Sequence, residues 1–278
     1  MQKILVTGAN GYIGKHVVKL LLDKGYDVYV CDINFDEVDI RAKKITVSIF
    51  DESIDIFKAT GKPDICIHLA WRNGFVHNSE SHIQDLYKHY SFIKRMIDGG
   101  LKHLSVMGSM HEVGYWEGAI DENTPTNPLS LYAIAKNSLR QMIEVLIKDK
   151  DIVFQWMRGF YIIGDDINSN SIFSKICKAE SEGKEKFPFT TGKNKYDFID
   201  LDEFVQQVVY CSLQKSINGI VNCCSGNPIS LSQKVEEFIR KNNFKIKLEY
   251  GVFPDRPYDS PMLWGDNKKI KKIMINKN

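Results

Sequence analysis

The chain has 278 residues, of which 43% are hydrophobic and 26% are charged, the usage expected of a globular protein with a large core. Its 37 basic and 35 acidic residues leave a formal net charge of +2, so no global field favours nucleic acid or a membrane surface as a partner. Six scattered cysteines without metal-ligand spacing indicate reduced thiols, and no apolar run could span a bilayer, so we expect a cytoplasmic protein without a metal site.

Short β-branched or apolar runs alternate with stretches of helical period along the first two thirds of the chain. The predicted strands cover residues 4–6, 27–31, 45–49, 65–69, 104–107 and 152–157. The predicted helices cover residues 13–24, 82–98 and 129–149. This alternation is typical of parallel strands joined by crossover helices, and it predicts an α/β fold with a Rossmann-like, doubly wound parallel sheet.

After Gly164 the alternation becomes less regular. The sequence there predicts a polar turn, then a helix, then strands around a Gly-Lys-Asn turn, at residues 165–170, 172–182 and 187–199. We therefore expect a smaller C-terminal α/β lobe. The predicted dinucleotide-binding domain covers residues 1–164, with 196–224 returning to it, and the predicted substrate lobe covers 165–195 and 225–278.

A glycine-rich turn follows the first strand and opens the first helix. Gly8, Gly11 and Gly14 would let the chain turn tightly and bring backbone N–H groups against a pyrophosphate. Asp32 follows Gly14 by 18 residues, near the spacing of an acid that binds the adenosine ribose. The pattern predicts NAD or NADP, and the carboxylate favours NAD because it would repel a ribose phosphate. Downstream polar and basic residues could offset that preference: Asn34, Arg41, Lys43 and Lys44.

A phenol and an ammonium lie one helical turn apart at Tyr132 and Lys136. A phenol with the usual pKa of about 10 becomes a useful base at neutral pH only when a nearby cation favours its ionised form. In ketone reduction the same phenol would donate its proton to the developing alkoxide. Ser109 follows a predicted strand and could donate a hydrogen bond to the same oxygen. These three residues are the predicted catalytic set.

In these motifs the sequence resembles the extended short-chain dehydrogenase/reductase family, in its nucleotide-sugar epimerase, dehydratase and reductase branch. The resemblance covers nearly the whole chain. Residues 7–14 match the TGxxGxxG pattern, residues 67–71 are similar to the HLAA segment beside the cofactor, and Ser109, Tyr132 and Lys136 match the Ser/Thr-Tyr-Lys set. Residues 157–164 and 196–199 are similar to the LRxFNxYG and RDFxxV segments.

The resemblance implies binding roles for specific positions. The implied cofactor-binding residues are Gly8, Asn10, Gly11, Tyr12, Ile13, Gly14, Asp32, Ile49, Leu69, Ala70, Trp71, Tyr132 and Lys136. The implied substrate-binding residues for a nucleotide sugar are Met110, His111, Tyr161, Phe187 and Arg256. Arg256 would hold the diphosphate, whose oxygens fit the guanidinium fork. The resemblance also implies a homodimer, packed through helices near residues 85–98 and 130–148.

Departures from the family pattern select among its reactions. Met110 and His111 stand where a 4,6-dehydratase carries an Asp-Glu pair, so elimination lacks its acid and base. The short chain and the bulky Tyr161 disfavour a 4-epimerase with tightly bound NAD, which remains the alternative. We predict an NAD(P)H-dependent 4-ketoreductase of a nucleotide-activated, dTDP-linked 4-dehydro-6-deoxyhexose, used in deoxysugar and surface polysaccharide synthesis. A third hypothesis is a redox-inactive dinucleotide-binding regulator. For His111 and Glu112, structural roles are alternatives to chemical ones.

Overall fold

The computed structural model describes residues 2–164, 171–255 and 259–276. Its strands are β1 (Lys3–Thr7), β2 (Asp27–Cys31), β3 (Lys43–Ile45), β4 (Ile65–His68), β5 (His103–Ser109), β6 (Gly118–Ile120), β7 (Val153–Gly159), β8 (Tyr161–Ile163), β9 (Lys186–Pro188), β10 (Lys195–Asp200), β11 (Gly219–Cys223), β12 (Pro228–Ser230), β13 (Lys247–Glu249) and β14 (Leu263–Gly265). Its α-helices are α1 (Gly14–Asp23), α2 (Ile56–Ala59), α3 (Ser81–Gly99), α4 (Leu131–Ile147), α5 (Ile172–Ser181), α6 (Leu201–Leu213), α7 (Leu231–Lys241) and α8 (Lys268–Ile275). A short 3-10 helix covers Met110–Glu112.

Seven parallel strands form the large sheet, in the order β11-β7-β5-β4-β1-β2-β3. The chain leaves β1 on one side to form β2 and β3, and on the other side to form β4, β5 and β7. The carboxyl end of β1 is therefore the point where the strand order reverses, and ligands of open α/β sheets bind at such a point. The predicted Rossmann-like fold is confirmed.

The strands of the large sheet are buried on both faces. Along β1, Ile4 and Val6 point into a cluster with α1, α6 and α8, whereas Leu5 points into a cluster with α3 and α4. Successive side chains of a strand face opposite sides, so an uninterrupted apolar run suits a sheet covered by helices on both faces. A third cluster, which includes Phe189 and Val235, forms the core of the smaller lobe.

The predicted third strand was wrong in its position. The structure places β3 at Lys43–Ile45, at the sheet edge, and residues 46–51 form turns instead of the strand predicted over 45–49. The Ser48 hydroxyl accepts a hydrogen bond from the Phe50 N–H at 3.2 Å, and the Ser48 carbonyl accepts one from the Asp51 N–H at 3.1 Å. These local bonds offer the backbone an alternative to the strand ladder.

The smaller lobe contains a three-stranded sheet, β12-β10-β8, and two pairs of strands, β13-β9 and β14-β6. β10 lies in this lobe, although residues 196–224 were predicted to return to the large domain, whereas β11 does join the large sheet. α8 packs on the large sheet through Ile270 and Ile273, although it was predicted to belong to the substrate lobe. The lobe boundaries stay a prediction, and the polar turn predicted at 165–170 lies outside the described residues.

The six cysteines are free thiols, and all but Cys177 are buried. Among the described helices, none combines the length and the apolar character needed to cross a membrane.

Candidate active site

The glycine-rich turn runs from the end of β1 to the start of α1 and packs closely against the end of β4. Gly8 has a φ of +70°, and a Cβ there would lie 2.6 Å from the Ala70 backbone nitrogen. A Cβ at Gly14 would lie 1.9 Å from the Gly8 carbonyl oxygen. Both positions therefore require glycine. The turn leaves the N-terminus of α1 beside the reversal point of the sheet, where backbone N–H groups can bind a phosphate.

Asp32 follows β2 and is braced against the glycine-rich turn. Its carboxylate accepts hydrogen bonds from the Asn10 backbone N–H at 2.7 Å and from the Ile33 N–H at 2.6 Å. The Asn10 side chain in turn donates to Asn34 and accepts from the Glu37 N–H. The turn and the acid are thus held as one unit, in the position that suits a carboxylate binding the adenosine ribose.

The cations that could have favoured NADP are engaged elsewhere. Arg41 pairs with Asp23 at 2.7 Å and with Asp39 at 2.6 Å. Lys43 pairs with Asp27 at 2.7 Å, and the Lys44 ammonium lies 5.6 Å from the centroid of the Phe35 ring. None of these contacts directs a cation to Asp32. The local charge therefore favours NAD.

The predicted catalytic residues come together at the carboxyl end of β5. Ser109 ends this strand, and α4 begins next to it with Tyr132 in its first turn. The Tyr132 backbone N–H donates to the His77 carbonyl at 2.8 Å. Burial raises the pKa of the Tyr132 phenol to about 12, against the opposing effect of its hydrogen bond with Ser109. The phenol therefore holds its proton at neutral pH, and the lowering of its pKa that we expected from the nearby Lys136 is outweighed by burial.

Lys136 lies one turn further along α4, 3% exposed. Its ammonium donates to the Met107 carbonyl at 2.8 Å and lies 3.8 Å from the centroid of the Trp71 ring and 5.9 Å from that of Tyr132. Burial lowers the pKa of Lys136 to about 7. A buried amine that titrates near neutrality is common at reaction centres and uncommon elsewhere.

The candidate substrate residues are only partly brought together. The His111 ring lies 6.4 Å from Tyr132 and 6.3 Å from Tyr161, measured between ring centroids. Burial lowers the pKa of His111 to about 4, so this imidazole is neutral at physiological pH. Met110 is 5% exposed in the core of the smaller lobe, which leaves its side chain little surface for a ligand. Phe187 lies in β9, half-buried against the same core, and Arg256 lies outside the described residues.

The remaining candidate cofactor residues surround the glycine-rich turn. Tyr12 and Ile13 pack against the core that contains α1, and Leu69 and Ala70 follow β4 directly. Ile49 is 9% exposed in the core beside α3, on the loop after β3. Their contact with a cofactor stays a prediction.

Sequence reasoning did not identify a cluster of imidazoles around Tyr132. The His77 ring stacks on the Tyr132 ring at 5.3 Å and 12°, and the His82 ring meets it edge-on at 5.4 Å. His89 stacks on the Trp71 ring at 4.5 Å, and His68 is hydrogen-bonded to His89. One signal was available, because His82 and His89 are seven residues apart and therefore share a face of α3.

Comparisons with known proteins agree with this geometry. The model of the NAD-dependent epimerase/dehydratase family matches residues 4–224. The chain belongs to this family. Within it, the chain is 45% identical over 269 residues to a dTDP-6-deoxy-L-talose 4-dehydrogenase (NAD(+)) of Aggregatibacter actinomycetemcomitans, covering 94% of this chain and 98% of that one.

Solved structures confirm the fold of this epimerase/dehydratase member. A UDP-glucose 4-epimerase of Thermotoga maritima is 22% identical with a TM-score of 0.83, covering 98% of this chain and 92% of that one. MoeE5 in complex with UDP-glucuronic acid and NAD is 20% identical with a TM-score of 0.82 and the same coverage.

Proposed function

We propose that this chain is an NAD-dependent oxidoreductase that transfers hydride at C4 of a dTDP-linked 6-deoxyhexose, reducing the 4-keto sugar with NADH. The observation that carries the proposal is the 45% identity to a dTDP-6-deoxy-L-talose 4-dehydrogenase (NAD(+)) over nearly the full length of both chains. The name of that relative describes oxidation at C4, and ketone reduction is the same reaction in reverse. The 4-keto form of a dTDP-6-deoxyhexose is therefore the proposed substrate.

The residues present fit a dinucleotide. Gly8 and Gly14 leave no room for side chains and so permit the tight turn whose backbone N–H groups would bind a pyrophosphate. Asp32, which is hydrogen-bonded to the Asn10 N–H of this turn, would accept from the ribose hydroxyls. Lys136 would hold the second ribose, with the other predicted contacts from residues of the turn and of the loops after β3 and β4: Asn10, Gly11, Tyr12, Ile13, Ile49, Leu69, Ala70 and Trp71. When bound, the reduced cofactor supplies the hydride.

Tyr132 is the proposed proton donor to the ketone oxygen. Burial raises the pKa of the phenol to about 12, so the proton is available at neutral pH. We infer that the Ser109 hydroxyl, which is hydrogen-bonded to this phenol, binds the same oxygen and orients the carbonyl. The Lys136 ammonium lies on the same side of α4 and stabilises the phenolate that forms as the proton leaves.

His111 and Tyr161 are the proposed sugar-binding pair. The His111 ring meets the Tyr161 ring edge-on at 6.3 Å, and Tyr161 belongs to the smaller lobe, where it packs on Tyr196 at 4.9 Å and on Phe198 at 5.6 Å. A wall of aromatic rings suits an apolar methyl group such as C6 of a 6-deoxy sugar. Arg256 remains the proposed contact of the diphosphate.

The proposal is tested with the purified protein and dTDP-4-dehydro-6-deoxyhexoses. We expect stoichiometric loss of the absorbance of NADH and appearance of a dTDP-6-deoxyhexose. We also expect NADH formation when dTDP-6-deoxy-L-talose and NAD are supplied. Matched UDP and GDP sugars serve as controls for the nucleotide. Interconversion of 4-hydroxy sugars without net consumption of NADH would instead show the alternative, a 4-epimerase.

We further propose a homodimer formed through α3 and α4. The two helices pack against each other, and their outer surfaces expose apolar side chains, with Tyr87 at 64% and Val145 at 78%. Light scattering on the purified protein should give twice the mass of the chain. The double variant Tyr87→Glu, Val145→Glu should be monomeric with an unchanged far-ultraviolet circular dichroism spectrum, and a wild-type protein of single-chain mass would contradict the dimer.

A further inference from the structure

Trp71 is held in a fixed orientation by a hydrogen bond to a histidine, which is itself bonded to the backbone. Its indole N–H donates to Nδ1 of His82 at 3.0 Å, and Nε2 of His82 lies 3.0 Å from the Val76 carbonyl oxygen. An indole N–H only donates and a carbonyl only accepts. The His82 proton therefore lies on Nε2, which makes the ring neutral and lets it join Trp71 to the middle of the loop between β4 and α3.

A second histidine supports the face of the Trp71 ring. The His89 ring lies 4.5 Å from the indole at 13°, which is a stacked arrangement. His89 is 2% exposed, and its Nδ1 shares a hydrogen bond with Nε2 of His68 at 2.9 Å, while Nδ1 of His68 shares one with the Thr7 hydroxyl at 2.7 Å. Burial lowers the pKa of His89 to about 3 and that of His68 well below its usual value. The stack is therefore neutral.

The Lys136 ammonium lies on this indole, at 3.8 Å from the ring centroid. The Met107 carbonyl, which accepts a hydrogen bond from this ammonium, is neutral and so provides no counter-charge. Glu112 is the carboxylate that favours the charge of Lys136, but it is itself paired with Arg158 at 3.6 Å. Among the described residues, the ionisable groups that interact with Lys136 come from α4, the 3-10 helix, β4 and α3: Tyr132, Glu112, His68 and His89. The π face of Trp71 is thus a principal stabiliser of a charge buried away from water.

We propose that Trp71 is a positioning residue that keeps Lys136 protonated and in place beside Tyr132, and that His82 and His89 act through it by fixing the indole plane. A desolvated cation–π contact changes the ratio of ammonium to amine by roughly tenfold or more. Without this contact, Lys136 loses its proton at a lower pH, and the phenolate of Tyr132 loses its cation. The proposal rests on the proposed function only where it links this charge to turnover.

The first test measures the Lys136 titration in the cofactor-free protein by side-chain nitrogen NMR, with Lys136→Met assigning the resonance. Trp71→Leu removes the π face, and we expect the midpoint to fall by about one pH unit or more. Trp71→Phe keeps an aromatic face and should stay closer to the wild type. Trp116→Leu, at a ring whose N–H donates to the Ala119 carbonyl, is the matched control and should leave the midpoint unchanged. A midpoint equal in Trp71→Leu and the wild type would overturn the proposal.

The second measurement uses the wild-type protein, so it does not require a variant at position 71 to fold. In the wild-type protein, the indole N–H resonance of Trp71 should shift with the same midpoint as Lys136, and an invariant resonance would contradict the contact. His82→Leu should lower the Lys136 midpoint by less than Trp71→Leu does, and an unchanged midpoint would remove His82 from the proposal.

The link to turnover is tested separately, with the keto sugar and NADH. As the pH is raised, kcat of Trp71→Leu should fall at a lower pH than kcat of Trp71→Phe does. A lowered Lys136 midpoint with a wild-type pH profile would overturn the link to turnover. Because the titrations use neither sugar nor cofactor, a wrong substrate assignment would leave them unaffected.

Discussion

The Ser109 backbone N–H donates to the Glu112 carboxylate at 2.7 Å, and Glu112 has no exposed surface. The same carboxylate accepts from the Trp156 indole N–H at 2.9 Å and lies 3.6 Å from the fully buried Arg158 guanidinium. The structure thus supports a structural role for Glu112. Its carboxylate, paired with the buried Arg158, fixes the backbone of Ser109, the residue proposed to orient the substrate carbonyl.

Replacing Glu112 should destabilise the fold through its partner. In Glu112→Gln the amide oxygen can still accept from Ser109, but the Arg158 charge loses its counter-charge. We expect a loss of about 3 kcal/mol in the free energy of unfolding, measured by urea denaturation. The control is Glu144→Gln, which breaks the Arg140 pair at a side chain that is 41% exposed and should lose less than about 1 kcal/mol. Equal losses in the two variants would contradict a special role for the buried pair.

Asp32 should control both the affinity for NAD and the discrimination against NADP. Asp32→Asn keeps an oxygen for the Asn10 N–H but removes the charge that binds ribose hydroxyls. Hydrogen bonds to charged groups contribute about 1.5–3 kcal/mol, so we expect NAD affinity to fall about tenfold or more by calorimetry, while NADP affinity rises. Asp151→Asn, at an exposed carboxylate just before β7 and so at the amino end of the sheet, is the control and should leave both affinities unchanged. Unaltered NAD binding in Asp32→Asn would show that the ribose lies elsewhere.

Tyr132→Phe should abolish proton donation while preserving the cofactor site. Positioned acid catalysis contributes about 10²–10⁴-fold, so we expect kcat for ketone reduction to fall by that factor, with the Kd for NADH changed by less than about twofold. Tyr210→Phe is the control, since its hydroxyl meets Lys24 at the surface on the opposite side of the sheet. Full turnover in Tyr132→Phe would assign the acid to another group.

The elements that were predicted from sequence are those with local signals. The glycine-rich turn, Asp32, and the pair of Tyr132 and Lys136 each have a fixed spacing, so their positions follow from chain geometry alone. The edge strand β3 was misplaced because the turn at Ser48 competes with a ladder only three residues long. The imidazole cluster was missed because His77 lies in a loop and reaches Tyr132 only through tertiary contacts.

Lys136→Met should stabilise the protein while inactivating it. Burial lowers the pKa of Lys136 to about 7 in the folded state, against about 10.4 in the unfolded chain. Below about pH 7 both states carry the charge, and the folded state bears the full cost of burying it. Between about pH 7 and 10.4 only the unfolded chain keeps the proton, so wild-type stability gains as pH rises.

The free energy of unfolding of the methionine variant, measured by urea denaturation at about pH 6, should therefore exceed that of the wild type by a few kcal/mol, since one pKa unit corresponds to about 1.4 kcal/mol. That difference should shrink steadily toward about pH 10, whereas Lys148→Met, at an exposed position, should show none. A difference independent of pH would mean that Lys136 does not titrate in this range, and that its charge is stabilised far more strongly than its contacts with Met107 and Trp71 indicate.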